Sequence, residues 1–456
     1  MSALWTADEL IIATGGAMHG RFDVSGIAFD TRQVVPGDLF IALHGEVRDG
    51  HDFVAAALAK GAAGALIDRD VPGLDPAAPV LRVADTLAAL GRLGEFARAR
   101  TRAKIIAVTG SVGKTTTKQM LGRCLAAFGP VHAAQASFNN HLGVPLTLAR
   151  IPREAQFAVI EIGMNHRGEI EPLARMARPH VSIVTSIAAA HLGHMGSIEA
   201  IAEEKANIFA PLEADGVAVM PRDSPFLPIL SAHVRKAVRR LTFGEGGLAD
   251  LRLVEAESDA TGCDVTAHYA GRVVRLRLQA PGRHMAMNAL AALAACAGLD
   301  LDIDQAARAL DGFQPVAGRG AQRRIATFDG TALLLDESYN ASGASVRAAL
   351  EVLRLQPGRH LAALGDMLEL GDEAESEHRA LAEIVAQSAD LVFACGPMMR
   401  LMFADLPAHL RGAWEPDSQS LAPLLKAELR AGDALLVKGS LGSNMARLIA
   451  LIEEGA

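Results

Sequence analysis

The segment KIIAVTGSVGKTTTKQML (residues 104–121) constrains this chain most, because an apolar strand-like run passes through a glycine turn directly into a helix-compatible run. Gly110 and Gly113 permit backbone angles and a close approach that a side chain would prevent, so amide N–H groups can converge on a polyphosphate at the helix N-terminus. Lys114 adds a mobile positive charge, and Thr115 offers a hydroxyl ligand to Mg²⁺. The segment therefore predicts a P-loop nucleotide site formed by Gly110, Ser111, Val112, Gly113, Lys114, Thr115 and Thr116.

The generic P-loop pattern has a further glycine where Val108 stands, so this chain carries a shorter variant of it. The alternative interpretation is an ordinary strand-to-helix turn followed by a chance Lys-Thr pair. The coincidence of strand, turn, Lys-Thr and helix favours the nucleotide site.

Length and composition limit the architecture. A chain of 456 residues predicts two to four domains at about 150 residues each. Hydrophobic residues make up 50% of the chain and aromatic residues only 4%, so the cores must consist of Ala, Leu, Val and Ile, as in α/β layers. The formal net charge of −8 argues against a general nucleic-acid surface or an anionic-membrane surface. We therefore expect small-molecule partners.

The cysteines give no sign of a disulfide framework or a cysteine-based zinc site. Cys124, Cys263, Cys296 and Cys395 are far apart and form no CxxC motif. No leader-like segment opens the sequence, and the apolar run 285–299 is interrupted by polar and glycine residues well short of a membrane span. We expect a soluble cytoplasmic protein, without membrane insertion and monomeric.

The order of strand-like and helix-like runs predicts an α/β fold of three domains. Residues 1–102 are expected to form a small α/β domain, 103–312 a central P-loop ATPase-like parallel sheet, and 313–456 a Rossmann-like doubly wound sheet. Within the central domain, strands are predicted at 157–162, 181–185 and 216–220. The stretch 251–279 predicts antiparallel edge strands, in which Val273, Leu276 and Leu278 alternate with arginines.

Several polar residues follow predicted strands of the central domain. Glu161 ends an apolar strand, where a carboxylate is costly unless it meets a cation. It predicts either a magnesium ligand or a strand-end salt bridge. His191 and His194 follow the next strand. A histidine in a loop is by itself more often structural than a ligand, and only the presence of Glu161 and Thr115 favours His191 as a metal ligand. Lys205, on a following helix, would by itself be a solvated face residue.

Other candidates lie in turns and at strand ends, where ligands of parallel sheets bind. Each of them could also be an ordinary capped turn or a solvated side chain. The prediction that they bind ligands therefore depends on their joint occurrence, in one order, along three α/β units. The candidates are Asp30, Thr31 and Arg32 in the first unit, Asn139 and Asn140 in the second, and Arg319, Asp336, Tyr339, Asn340, Asp366 and Lys438 in the third.

Taken together, these motifs resemble the Mur ligase family, ATP-dependent amide-forming enzymes of peptidoglycan precursor synthesis. The resemblance spans essentially the whole chain. It is carried by FDTRQVVPGDLFIALHGEVRDGHDF, TGSVGKTTTK, NNHLGVPLTL, DESYNAS, ALGDMLELGD and LVKGS. The third-domain segments resemble the branch that adds D-alanyl-D-alanine to UDP-N-acetylmuramoyl-tripeptide. The branch that adds the third amino acid would show Asp-Tyr-Ala-His where DESYNAS stands.

The resemblance implies a role for each candidate. The three domains would bind, in order, the UDP-sugar peptide, ATP with the reacting groups, and the far side of the nucleotide with the dipeptide. The implied contacts are Asp30, Thr31 and Arg32 with the uridine diphosphate end; Asn139 and Asn140 with the substrate's path; Lys114 and Thr115 with phosphates and Mg²⁺; Glu161 and His191 with the metals; Lys205 as a carbamylated lysine; Asn288 with adenine; Arg319 with the γ-phosphate; Asp336 with ribose; and Tyr339 and Asn340 with substrate.

The implied reaction forms an acyl phosphate from the tripeptide carboxylate and ATP, which the dipeptide amine then attacks. One departure concerns the adenine site, because Met285 stands where the family usually has a second asparagine. Two other interpretations remain open at this point. One is a Mur-type ligase for a different amino acid, and the other is a nucleotide-binding paralogue without ligase activity.

Overall fold

A computed structural model of the chain describes residues 3–45, 47–134, 137–189 and 191–454. Within these residues the strands form three separate sheets of five, nine and six strands, each covered by helices. This arrangement confirms the α/β prediction and its three-domain organisation. None of the described helices is both long and apolar enough to cross a bilayer.

The N-terminal domain is a five-stranded sheet with strand order β1-β5-β4-β3-β2, in which only β1 runs antiparallel to its neighbour. The first helix begins at a capping box between Thr6 and Glu9 and ends at Gly15, whose φ of 66° is left-handed. The strands are β1 (Ala17–His19), β2 (Gly26–Ala28), β3 (Asp38–Ile41), β4 (Gly64–Ile67) and β5 (Val80–Arg82), and the helices are α1 (Ala7–Thr14), α2 (Val54–Ala59) and α3 (Thr86–Arg100).

The central domain is built on a nine-stranded sheet. Its strands are β6 (Lys104–Thr109), β7 (Val131–Ala133), β8 (Phe157–Glu161), β9 (Val181–Val184), β10 (Val217–Pro221), β11 (Arg239–Gly244), β12 (Leu251–Ser258), β13 (Cys263–Tyr269) and β14 (Arg272–Leu278). Its helices are α4 (Lys114–Ala126), α5 (Gly143–Ala149), α6 (Ile170–Ala177), α7 (Leu192–Met195), α8 (Ile198–Ala206), α9 (Leu227–Ala232), α10 (Arg283–Gly298) and α11 (Ile303–Leu310).

The strand order of this sheet is β14-β13-β12-β11-β10-β9-β6-β8-β7, parallel from β7 to β12. Strands β12, β13 and β14 are antiparallel and form one edge, which confirms the prediction for 251–279. The predicted alternation was wrong at one position. Val274 packs in the core with Leu276 and Leu278, whereas Val273 is 44% exposed, because the pleat places it on the same face as Arg275 and Arg277.

Both faces of the central sheet are buried. Along β6, Ile106 and Val108 pack in the core that contains α4 and α10, while Ile105 and Ala107 pack in the core on the opposite face. This two-sided burial explains why the strand before the glycine turn is a continuous apolar run.

The C-terminal domain has strand order β15-β16-β20-β17-β18-β19, with β15 alone antiparallel to its neighbour. The strands are β15 (Ala321–Thr327), β16 (Gly330–Glu337), β17 (His360–Gly365), β18 (Leu391–Cys395), β19 (Arg411–Glu415) and β20 (Ala434–Lys438). The helices are α12 (Gly343–Arg354), α13 (Ala374–Arg379), α14 (Ala382–Ala386), α15 (Met399–Asp405), α16 (Ser418–Glu428) and α17 (Met445–Glu453).

Helix α3 joins the N-terminal domain to the central domain by close packing on α5. A Cβ atom on Gly94 would lie only 3.0 Å from Pro145 Cα, so the two helices meet there almost backbone to backbone. Near the end of α3, the buried Arg98 donates hydrogen bonds to the carbonyl oxygens of Ala177 and Arg178, each at 2.6 Å. These contacts fix the first domain against the central sheet.

The two glycines of α3 provide a matched test of this joint. Gly91→Ala should raise the melting temperature, because alanine is favoured over glycine in a helix by about 0.5–1 kcal/mol and the nearest non-helical atom to the new methyl is 3.9 Å away. Gly94→Ala should lose this gain and lower the melting temperature, because its methyl presses on Pro145. Equal melting temperatures for the two variants, measured by circular dichroism, would contradict the packing described here.

Candidate functional site

The glycine turn between β6 and α4 forms the predicted cradle. Gly110 and Gly113 have φ angles of 151° and 89°, which favour glycine. A Cβ atom at Gly110 would collide with the Thr185 hydroxyl, and one at Gly113 would collide with the Asn288 side-chain oxygen. The strand, turn and helix of the P-loop prediction are therefore all present, and the turn leaves the N-terminus of α4 open to an anion.

Lys114 lies over this cradle. Its Nζ atom donates a hydrogen bond to the Gly110 carbonyl oxygen at 2.7 Å. Burial lowers the pKa of Lys114 to about 8; Glu161 opposes this change, and the nearby Arg319 adds to it. A bound polyphosphate would favour the charged form of Lys114, so this side chain is suited to neutralise phosphate oxygens.

The Glu161 carboxylate, at the end of β8, is the most tightly held group of the site. Its side chain is buried, and its Oε1 atom accepts hydrogen bonds from Thr115 Oγ1 at 3.2 Å and Asn139 Nδ2 at 2.9 Å. Its Oε2 atom pairs with Lys118 Nζ at 3.1 Å. Both sequence-based interpretations of Glu161 thus have support, because the carboxylate meets a cation and also lies beside the hydroxyl predicted to bind magnesium.

Lys118 is a functional candidate that the sequence reasoning missed. It is almost fully buried, one helical turn after Lys114 on α4. The signal was available, because a lysine four residues after the P-loop lysine lies on the same face of the helix.

Arg319 connects the segment before β15 to the P-loop. Its Nη2 atom donates to Ser137 Oγ at 3.1 Å, and Ser137 Oγ lies 3.1 Å from Thr115 Oγ1. The guanidinium group also lies 3.9 Å from the centre of the Tyr339 ring. Arg319 is therefore a positioned cation rather than a solvated linker residue, and Ser137 is a second contact that the sequence reasoning did not identify.

These groups line one cavity of about 610 Å³ between the central and C-terminal domains. The predicted residues that line it are Ser111, Val112, Gly113, Lys114, Thr116, Asn139, Asn140, Glu161, His191, Asn288, Arg319, Tyr339, Asn340 and Lys438. Gly110 and Thr115 lie directly beside it, in the cradle and against Glu161.

Two of the predicted strand-end carboxylates have structural contacts instead of facing the cavity. Asp336 accepts hydrogen bonds from the backbone and hydroxyl of Ser338 and lies 3.5 Å from Arg323. Asp366 accepts hydrogen bonds from the backbone N–H groups of Met398 and Met399, at the start of α15. The ribose contact of Asp336 stays a prediction.

His191 lies where the central and C-terminal domains meet. Its backbone is left-handed, with φ of 61°, and its Nδ1 atom pairs with Glu369 of the C-terminal domain. The hydrogen bond from His191 lowers the pKa of Glu369, and the charges of His191, His194 and His166 add to this effect. The backbone N–H of Gly193 also donates to the Glu369 carbonyl oxygen at 3.0 Å. Glu369 is a further residue that the sequence reasoning missed.

Lys205 is buried on α8 and is not the solvated face residue that its sequence context suggested. Burial and the nearby charge of Lys114 hold the pKa of Lys205 well below its usual value. This environment favours an uncharged, nucleophilic amine near the P-loop lysine.

Helix α10 supplies the wall beside the P-loop. Asn288 Oδ1 lies 3.4 Å from Thr117 Oγ1 and close to Gly113, while His284 and Met285 line the same cavity. Burial lowers the pKa of His284, which favours its neutral form. Met285 places an apolar side chain at a position where an asparagine would offer a second polar contact. The adenine contact of Asn288 stays a prediction.

A second cavity, of about 550 Å³, lies in the N-terminal domain. It brings Asp30, Thr31 and Arg32 together with residues that the sequence reasoning missed, namely Phe29, Phe40, Arg48 and Phe53. Arg32 pairs with Asp30 at 2.7 Å. The Phe29 ring packs edge-on against Phe138, at 5.9 Å between ring centres, so this cavity adjoins the loop that carries Ser137 and Asn139.

The residues present fit a magnesium-bound polyphosphate. The two glycines allow the tight turn, because Cβ atoms there would collide with Thr185 and Asn288, and the Thr115 hydroxyl beside the Glu161 carboxylate supplies the hard oxygen ligands that Mg²⁺ prefers. Lys114 and Arg319 supply the positive charge that phosphate oxygens need.

Family models match all three domains of the chain. The model described as Mur ligase family, catalytic domain, matches residues 23–98; the Mur ligase middle domain matches 108–296; and the Mur ligase, glutamate ligase domain, matches 323–441. Together they cover each of the three sheets in order.

Curated relatives match along nearly their whole length. The UDP-N-acetylmuramoyl-tripeptide–D-alanyl-D-alanine ligase of Synechocystis sp. is 36% identical over 94% of this chain and 92% of its own, and the enzyme of the same name from Escherichia coli is 33% identical over 98% of each. The crystal structure of MurF from Acinetobacter baumannii has a TM-score of 0.86, with 33% identity and 99% of each chain covered.

The structure of MurF ligase from Thermotoga maritima, in complex with ADP, has a TM-score of 0.79 and 25% identity and covers 94% of this chain and 97% of its own. The three family models, the relatives matched over their whole length and the shared architecture confirm the resemblance read from the motifs. This chain belongs to the Mur ligase family.

Proposed function

We propose that this protein joins D-alanyl-D-alanine to UDP-N-acetylmuramoyl-tripeptide with hydrolysis of ATP, and so makes the pentapeptide precursor of peptidoglycan. One observation carries the proposal, namely that the P-loop, the Glu161 cluster and the polar loops of the C-terminal domain line a single cavity. The relatives named for this reaction match the chain over nearly its full length. ATP is a substrate of the reaction, because it is consumed in each turnover.

The first chemical step activates a carboxylate, which is a poor electrophile at neutral pH. The tripeptide's terminal carboxylate attacks the γ-phosphorus of ATP and gives an acyl phosphate and ADP. Lys114 and Arg319 neutralise the charge on the phosphate oxygens. Mg²⁺, when bound, screens the same charge, and Thr115, Glu161 and His191 would hold it.

The second step forms the amide bond. The amine of D-alanyl-D-alanine attacks the acyl carbon, and phosphate leaves. Tyr339 and Asn340, at the cavity wall, would orient the dipeptide, while Asn139 and Asn140 line the path of the tripeptide. Enclosure between two domains excludes water, which would otherwise hydrolyse the acyl phosphate, and aligning the reactants can supply about 7–11 kcal/mol.

The N-terminal cavity would bind the uridine diphosphate end of the substrate. Arg32 and Arg48 would meet the diphosphate, and the phenylalanines that line the cavity offer surfaces for an aromatic base. Asp336 and Asn288 would contact the ribose and adenine of ATP.

Lys205 would act as a carbamate. An uncharged amine reacts with CO₂ to give a negatively charged carbamate and a proton, and burial, which lowers the pKa of Lys205 well below its usual value, favours the uncharged amine. The carbamate would place a negative charge near Lys114, which would attract it.

The proposal is tested by incubating the protein with the tripeptide precursor, D-alanyl-D-alanine and ATP, and measuring phosphate release and pentapeptide by mass spectrometry. Lys114→Ala should lower turnover at least about 100-fold, because it removes a cation from the phosphate oxygens. The exposed Lys104→Ala, at the start of β6, serves as the control and should retain activity. Equal turnover with a single amino acid in place of the dipeptide would contradict the proposed specificity.

The role of Glu161 is tested by magnesium dependence. Glu161→Gln should raise the Mg²⁺ concentration for half-maximal activity by about tenfold or more, because an amide is a weaker ligand than a carboxylate. The exposed Glu203→Gln should not change it. An unchanged magnesium requirement in Glu161→Gln would leave Glu161 only as the salt-bridge partner of Lys118.

The carbamate is tested directly with ¹³C-labelled bicarbonate. The wild-type protein should show a carbamate carbon signal by NMR that is missing in Lys205→Arg. Turnover should rise with added bicarbonate in CO₂-depleted buffer only when Lys205 is present. A spectrum identical in the two proteins would rule out the modification.

A further inference from the structure

A cluster of imidazole and carboxylate groups lies at the carboxyl ends of two interior strands of the N-terminal sheet. His44 and Asp49 face each other in an isolated antiparallel bridge after β3, and His51 lies in the short helical turn that follows. Asp68 directly follows β4, the parallel neighbour of β3. The carboxyl ends of these two strands therefore bring the four side chains together.

Asp49 contacts the Nδ1 atom of both imidazole rings, with a different carboxylate oxygen for each ring. Its Oδ1 atom lies 2.7 Å from His51 Nδ1, and its Oδ2 atom lies 3.1 Å from His44 Nδ1. The Nε2 atoms of both rings then face Asp68, whose Oδ1 atom is 3.0 Å from His44 Nε2 and 3.2 Å from His51 Nε2. Two imidazoles oriented by one carboxylate thus converge on another.

The hydrogen bonds of His51 fix its tautomer. The backbone N–H of Asp68 donates to His51 Nε2 at 3.3 Å, so Nε2 is an acceptor and the ring proton is on Nδ1, toward Asp49. The Asp68 Oδ1 atom also lies 3.2 Å from this Nε2 atom, so a metal bound by both atoms would replace the hydrogen bond from the Asp68 backbone N–H.

We propose that His44, His51 and Asp68 bind a divalent transition metal of the Zn²⁺ class, with Asp49 as the outer carboxylate that orients both histidines. One ligand atom from each of the three residues lies within 4.8 Å of the others, and ligand atoms in a tetrahedral zinc site are about 3.3 Å apart. A carboxylate on the far nitrogen of a metal-bound histidine is the usual outer partner. Imidazole ligands favour Zn²⁺, Co²⁺ or Ni²⁺ over Mg²⁺.

The site is accessible and would order a functional segment. The His44 side chain is 54% exposed, which leaves a coordination position open to solvent, whereas that of His51 is 1% exposed and rigidly placed. A metal here would tie His44 and the segment 47–51 to the end of β4. That segment carries Arg48, which lines the N-terminal cavity. Metal binding does not depend on the proposed ligase reaction, and its test measures the metal alone.

The test is a titration of the full-length protein with Co²⁺ in millimolar Mg²⁺, which keeps Co²⁺ from the P-loop. We expect visible absorption bands typical of tetrahedral Co²⁺ that saturate at one ion per chain and disappear when Zn²⁺ is added. His44→Asn should abolish the bands. His409→Asn, which changes another exposed histidine, should leave them unchanged. Asp49→Asn keeps all three ligands and should weaken binding about 10- to 100-fold.

Two results would overturn the proposal. One is Co²⁺ binding that His44→Asn and Asp68→Asn leave unchanged, and the other is the absence of saturable binding below millimolar Co²⁺. Circular dichroism shows whether each variant is folded, and the exposed His44 makes its variant the decisive one. Affinity should also fall as the pH is lowered, because His44 must lose its proton before it binds the metal.

Discussion

The buried carboxylate of Glu161 is the group on which the arrangement of the site depends. It ends a strand whose residues are all buried, where an isolated charge would cost several kcal/mol. Lys118, Thr115 and Asn139 compensate this cost with an ion pair and two hydrogen bonds. These partners come from helix α4 and from the loop before α5, so one carboxylate fixes the positions of the P-loop helix and of the polar loop that follows β7.

Positive charge is concentrated around this carboxylate although the chain as a whole is acidic. Lys114 and Lys118 lie on helix α4, and Arg319 lies on the segment that follows the central domain; burial and repulsion by Arg319 lower the pKa of Lys114. A polyphosphate would relieve that repulsion. The net charge of the chain therefore describes its surface as a whole. Binding of phosphate depends instead on a local cluster of cations, which the net charge does not reveal.

The cavity is shared between domains, and two contacts hold its walls together. Arg319 reaches Ser137 and stacks on Tyr339, and Glu369 pairs with His191 and accepts a hydrogen bond from Gly193. The contacts with Ser137, His191 and Gly193 join the C-terminal domain to segments that follow strands of the central domain, whereas the stacking on Tyr339 lies within the C-terminal domain. A reaction that must exclude water and align three reactants suits a site that is complete only when these domains are in contact.

The sequence by itself determined the α/β class, the P-loop and the strand-end positions of Glu161, Asp336, Asp366 and Lys438, because periodicity and glycine spacing are local properties of the chain. Only the tertiary structure decided which polar residues meet. It paired Glu161 with Lys118 and His191 with Glu369, buried Lys205, and directed the Asp366 carboxylate to backbone N–H groups at the start of α15. Contacts between residues far apart in sequence depend on packing, which no local pattern encodes.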